Sequence, residues 1–167
     1  MLTSHEILGF MSPQLALEIL LYSYESDKPL YRASLAAVAE ARHVRPVFLE
    51  RQPKTQRHTA MLATLTRPAL EPAAANLIRT WLLKKHNPML VDFLNSLGIA
   101  HKEGVVEENL PETMDDTKLR AAVDALLAKY PPEVVAIYLN AFAEMNEVDW
   151  PALKTLLESD KRVQLAG

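Results

Sequence analysis

Prolines at 13, 29, 46, 72, 88, 132 and 151 recur through this chain, mostly at intervals of roughly 16 to 20 residues. A proline fixes its own φ and is best accommodated in the first turn of a helix, while the residue before it is pushed out of the helical region. Each proline therefore starts a new helix and limits the length of the one before it. The intervals suit consecutive antiparallel helices with short connections. Apolar residues between them keep helical spacing: Leu70, Ala74, Leu77, Ile78, Trp81 and Leu82, then Leu90, Phe93, Leu94 and Leu97, then Leu119, Ala122, Val123, Leu126 and Leu127. No apolar/polar alternation lasts long enough for a strand beyond a short extended piece at Val105–Val106. The expectation is an all-α fold, with antiparallel helical hairpins in an irregular bundle or a short helical-repeat-like array.

A faint echo supports the repeat-like alternative. Leu82-Leu83-Lys84-Lys85 with Pro88, followed by Phe93 to Leu97, is answered by Leu126-Leu127-Ala128-Lys129 with Pro132, followed by Tyr138 to Phe142. The residue patterns of HEAT and tetratricopeptide repeats are absent, and two units are fewer than a solenoid needs. Local signals set several helix ends. Thr3 and Glu6 are spaced as a capping box, Ser12 precedes Pro13, Asp27 precedes Pro29, Asp115 or Asp116 opens the helix after the long loop, and Asp149 precedes the last one. Gly98 follows Leu97 as a left-handed helix stop. The tail after Ser159 is expected to fray.

Residues 99–114 lack helical rhythm and hold four glutamates with one of the four glycines. A stretch that long is usually functional or separates two units. The expected organisation is an N-terminal helical unit at 1–98, a loop or linker at 99–114 and a C-terminal helical unit at 115–167 packed on the first, or one single domain. Charge follows the same division. Residues 1–100 carry eleven Lys/Arg against eight Asp/Glu, and residues 101–167 seven against thirteen.

The chain has no cysteine, which removes disulfides, thiolate zinc sites and cysteine nucleophiles. Four glycines cannot write a phosphate-cradling loop or a dinucleotide fingerprint. The five histidines form no His-Glu-x-x-His pair. His101 near Glu103, Glu107 and Glu108 reads better as a solvated acidic loop than as a metal site. Ser4-His5-Glu6 spells a triad, but neighbouring helical residues point in different directions and cannot relay a proton. No catalytic, cofactor or metal residue is assigned, and no cofactor is expected. No signal-like N-terminus or apolar run of membrane length is visible, so a soluble, cytoplasmic protein without membrane association is expected.

The most suggestive segment is basic. Arg42, Arg45, Arg51, Lys54, Arg57 and Arg67 lie within 26 residues that hold Glu50 as their single acid. Arg42, Arg45, Arg51, Lys54 and Arg57 are the candidate contacts to an anion or nucleic acid, since guanidinium groups neutralise phosphates. Val38 to Val44 places Ala39 and Val44 as the first helix and turn of a helix-turn-helix would. Arg42, His43 and the apolar Pro46-Val47-Phe48-Leu49 depart from that motif. The plainer alternative has Phe48 and Leu49 in the core and the arginines as a solvated rim or as caps on helix ends. The leading functional expectation is a macromolecular-interaction module, adaptor or regulatory, whose partner is another protein, with homo-oligomers allowed. Nucleic-acid binding through residues 42–67 is the alternative. An enzyme comes third, with His101 and Glu103 its only nameable candidates.

Overall fold

The computed structural model describes residues 1–165, and the end of the expected C-terminal unit, residues 166–167, lies outside them. The fold is all-α. In chain order the helices are α1 (Ser4–Phe10), α2 (Pro13–Ser26), α3 (Lys28–Ala41), α4 (Pro46–Glu50), α5 (Lys54–Leu65), α6 (Glu71–Lys85), α7 (Asn87–Ser96), α8 (Asp116–Lys129), α9 (Pro132–Asn146) and α10 (Pro151–Ser159). Short 3-10 turns at Pro68–Leu70 and Lys161–Val163 complete the helical set. Two-residue strands β1 (His101–Lys102) and β2 (Val105–Val106) pair antiparallel. No helix among the described residues is long and apolar enough to cross a membrane.

The chain divides into two compact units, residues 3–81 and residues 82–165 with Met1–Leu2, so the division falls inside α6. In the first unit α2 packs on α3 and α5, and α3 on α4 and α5. Ile19, Leu20, Leu35, Val38, Leu49, Met61 and Leu65 are buried there. Helix starts follow the sequence signals at two places. The Ser12 hydroxyl accepts the Leu15 amide at 3.3 Å, and the Asp27 carboxylate accepts that of Leu30 at 3.2 Å.

At α1 the expected capping box is replaced. Thr3 Oγ1 donates to the Glu6 carboxylate at 2.7 Å and caps no amide. Glu71, at the start of α6, instead accepts the Ser4 and His5 amides, each at 2.8 Å, and its carboxylate also meets His5 Nδ1. A carboxylate that takes two helix-start amides at once does the work of both box partners, and it joins segments 66 residues apart.

In the second unit α9 is buried along ten consecutive residues, Val134 to Ala143. Tyr138 and Phe142 of this helix, with Phe93 of α7 and Trp150, are the aromatic residues of the unit's core. The 99–114 segment lies within this unit. Glu103 (φ 51°) and Gly104 (φ 86°) make the two-residue turn of the β1–β2 hairpin, with both residues at positive φ as such tight turns require. A Cβ at Gly104 would stand 3.1 Å from Leu90 Cβ, so glycine also permits the turn to approach α7. Both ring nitrogens of His101 are engaged at the hairpin. Its Nδ1 accepts the Gly104 amide at 3.1 Å and its Nε2 pairs with Asn95 Oδ1 at 2.7 Å, which places the ring proton on Nε2. The Trp150 indole donates to the Pro111 carbonyl at 2.8 Å and ties down the far end of the loop.

Two expected ends differ. Asp115 caps α8 through the Lys118 amide at 2.9 Å, but α10 has no side-chain cap, since Trp150 occupies its N-cap position. The segment after Ser159 does not fray before residue 165. Asp160 accepts the Arg162 amide at 3.0 Å, Arg162 also reaches Asp124 at 2.8 Å, and Val163 is fully buried.

Candidate functional site

The basic segment occupies α4, α5 and the turns around them, all in the first unit. Its five candidate residues have different roles. Arg42, just past α3, reaches the Ala60 carbonyl and Thr64 Oγ1 of α5, both at 3.5 Å. Arg45 and Arg51 bracket α4 at its two ends, and their side chains make no hydrogen bond or ion pair among the described residues. Lys54 Nζ stands 4.7 Å from the centre of the Tyr24 ring, and Arg57 Cζ stands 5.8 Å from the same centre. Lys54 and Arg57 are thus brought together on one aromatic ring, while Arg42 is engaged farther along α5.

His43 stands where a helix-turn-helix usually has glycine, and its φ of 57° is the left-handed conformation such a turn needs. The helix that follows has only five residues, which is too short to lie along a groove and read bases. A single helical turn also cannot bury three consecutive apolar residues, because successive side chains are about 100° apart. Leu49 takes the inward position and is fully buried, leaving Val47 43% and Phe48 56% exposed. The expectation that Phe48 and Leu49 both fill the core holds for Leu49 alone.

Behind α4 lies a polar aromatic cluster. Tyr24 ends α2, Tyr31 begins α3 and His58 lies in α5. Their rings meet edge to face with centroids 5.0 to 5.6 Å apart. Tyr31 is 8% exposed and His58 2%. The Arg57 guanidinium donates through Nε to Tyr31 Oη at 2.9 Å, and through Nη1 to the carbonyls of Glu50 at 3.2 Å and Gln52 at 3.4 Å. Tyr31 Oη lies 2.8 Å from His58 Nε2. Since Tyr31 accepts from Arg57, its own proton goes to His58, whose Nε2 is the acceptor in the neutral ring. Burial, together with the nearby Arg57 and Lys54 charges, lowers the His58 pKa to about 4. Burial also raises the Tyr31 hydroxyl, an effect that Arg57 opposes. At neutral pH the relay therefore runs from a charged arginine through a protonated tyrosine to a neutral histidine.

Two cavities flank the relay. One, of about 580 Å³, is lined by Tyr24, Glu25, Lys28, Tyr31, Arg32, Leu35, Glu50 and Arg57. The other, of about 490 Å³, is lined by Pro13, Leu17, Leu21, Lys54, Thr55, His58, Thr59 and Leu62. The first carries most of the charge, whereas the second is walled mainly by aliphatic groups. Tyr31 contributes to one and His58 to the other, so their hydrogen bond links the two.

The basic segment pointed at Arg57 and Lys54 from the sequence, but Tyr24, Tyr31 and His58 were not singled out as site residues. One available signal was the position of His58 on the apolar stripe of α5 with Met61 and Leu65, three and seven residues on. Tyr24 and Tyr31 lie on separate helices across the Asp27–Pro29 corner, and helical spacing does not connect them. Among the described residues no group of three or more His, Cys, Asp or Glu side chains could hold a metal ion. No family model, curated protein or solved structure matches this chain.

Proposed function

We propose that this is a cytoplasmic interaction module that binds an acidic segment of a protein partner through α4. One observation carries the reading: Val47 and Phe48 are exposed side by side, with Arg45 and Arg51 at the two ends of the same helix. Isolated exposed apolar residues are ordinary, but an aromatic ring between two arginines whose side chains have no partner among the described residues has the composition of an interface hot spot. The arginines favour acidic groups and orient an approaching partner, while the ring and Val47 supply area to be removed from water.

The experiment compares proteins retained from cell extract by immobilised wild type and by the exposed-site variants Phe48→Ala and Arg51→Ala. A partner released by both substitutions, with unfolding midpoints unchanged, supports the proposal. Equal retention by all three proteins overturns it. Phe48 on a helix with Arg45 and Arg51 at its ends also suits stacking on single-stranded nucleic acid, so labelled RNA and DNA are titrated at two salt concentrations in parallel. Binding that weakens steeply with salt, and less steeply in Arg45→Ala and Arg51→Ala, replaces the protein partner with a nucleic acid.

A further inference from the structure

We infer that the 580 Å³ cavity is a binding site for a small planar monocarboxylate that carries a hydroxyl or amino group. The site is separate from the exposed face of α4, although Glu50 ends that helix, and it stands whether or not α4 binds a partner. Its volume lies in the range of small-molecule pockets, roughly 300 to 1,000 Å³.

The charge of the lining sets the ligand class. Lys28, Arg32 and Arg57 line the cavity together with Glu25 and Glu50, which leaves one positive charge in excess. None of the five side chains forms an ion pair with another described residue. Charges in one cavity that leave each other unpaired are free to meet a ligand of complementary charge. The excess of one suits a single carboxylate. The two glutamates repel a dianion and offer acceptors for a ligand hydroxyl or amine. No glycine lies in the wall to let backbone amides wrap a phosphate.

Arg57 makes the site preorganised. Nε and Nη1 are held by Tyr31, Glu50 and Gln52, so the guanidinium plane is set before any ligand arrives. Nη2 has no acceptor among the described residues. A fixed guanidinium loses little side-chain entropy on binding, and a carboxylate is the acceptor that matches its geometry. Tyr31 is in turn held by His58, which makes both of them positioning residues for Arg57. The Tyr24 ring, fixed edge to face on Tyr31, and Leu35 provide the apolar wall for a planar body.

The test is an NMR titration of the full-length protein with 4-hydroxybenzoate, with 4-hydroxybenzamide as the neutral analogue and phenyl phosphate as the dianion. Saturable shifts are expected at the Arg57 Nε–H and at the Tyr24 and Tyr31 rings. The neutral analogue should bind about tenfold more weakly, the loss of one charge-assisted hydrogen bond. Arg32→Ala changes an exposed residue and leaves the fold intact, and it should weaken 4-hydroxybenzoate by a similar factor, with Arg32→Lys recovering part of the loss. Tyr31→Phe should weaken carboxylate binding while leaving the amide's affinity unchanged, because it loosens Arg57 and keeps the apolar wall. The inference is overturned by the absence of saturable shifts up to about 10 mM, a concentration well above a millimolar Kd. It is equally overturned by amide and carboxylate binding alike, by Arg32→Ala binding as wild type does, or by phenyl phosphate binding as tightly as the carboxylate.

Discussion

Phe93, Tyr138, Phe142 and Trp150 in the second unit pack with ring centroids 5.2 to 5.8 Å apart, much as Tyr24, Tyr31 and His58 do in the first. The surroundings of the two clusters differ. The rings of the second unit are at most 1% exposed, and two of them, Tyr138 and Phe142, stand on the buried stretch of α9, so their contribution is to stability. The cluster of the first unit has Lys54 and Arg57 against one ring and a cavity on each side of the Tyr31–His58 bond. Similar ring geometry thus makes a dry core in one unit and a wall between two cavities in the other. Ring packing alone does not distinguish a core from a site. Cations and unfilled volume beside the rings do.

The sharpest way to break this comparison is to truncate one ring in each cluster. Phe142→Ala removes a fully buried ring and should destabilise the protein by about 3–5 kcal/mol. Tyr24→Ala removes a half-buried ring beside open volume and should cost less than half as much, since part of that ring already faces solvent. Urea unfolding midpoints measure both. Equal losses would mean that the first cluster is as much a closed core as the second.

The fold was more legible in the sequence than the site. Prolines at helix starts, capping residues and apolar spacing locate most of the helices because these signals are local, each acting within a turn or two. Gly98 (φ 67°) and the Asp27, Ser12 and Asp115 caps were readable for the same reason. The cap of α1 was not, because Glu71 reaches it from 66 residues away. Phe48 was misplaced because an apolar triplet does not reveal how short its helix is. The cluster around Tyr31 required three helices to converge, and nothing in the spacing of Tyr24, Tyr31 and His58 encodes that convergence. The basic segment showed where charge accumulates but could not show that Arg57 is held by its own chain while Arg45 and Arg51 are not.

A smaller effect separates the clusters by pH. His58 is lowered to about 4 in the folded protein, below the ordinary histidine value near 6.5 expected on unfolding. Between these values the unfolded state binds more protons, so stability increases as pH rises through the window. The contribution is fully present above about 6.5 and is lost as pH falls toward 4, with a slope approaching ~1.4 kcal/mol per pH unit. His58→Gln retains an acceptor for Tyr31 and should flatten this dependence. Unfolding curves between about pH 4 and 7 measure it, and NMR of the imidazole reads the titration directly. A His58 that titrates near 6.5 would mean that water and charge reach it freely, and the wall between the cavities would not be closed.

The smallest effect lies at the edge of the dry cluster, where Trp150 ties its core to the 99–114 segment. Trp150→Phe keeps an aromatic ring in place and deletes the indole donor to the Pro111 carbonyl. That carbonyl lies on an exposed loop residue and can turn to water, so the cost is confined to about 1 kcal/mol of hydrogen-bond and packing energy. A change of that size in a local opening equilibrium is roughly a fivefold change in population. Glu103, Glu107, Glu108 and Glu112 are exposed in the same stretch and give a glutamate-specific protease four places to cut. Cleavage there should be about fivefold faster in the variant, while cleavage at Glu158 within α10 reports on global unfolding and should change less. If wild type and variant are cut at the same fast rate, the segment is already open and acts as the linker read from the sequence. If cleavage at Glu158 rises in step with the loop, the indole holds the whole second unit together, and the aromatic core extends through Trp150 into residues 99–114.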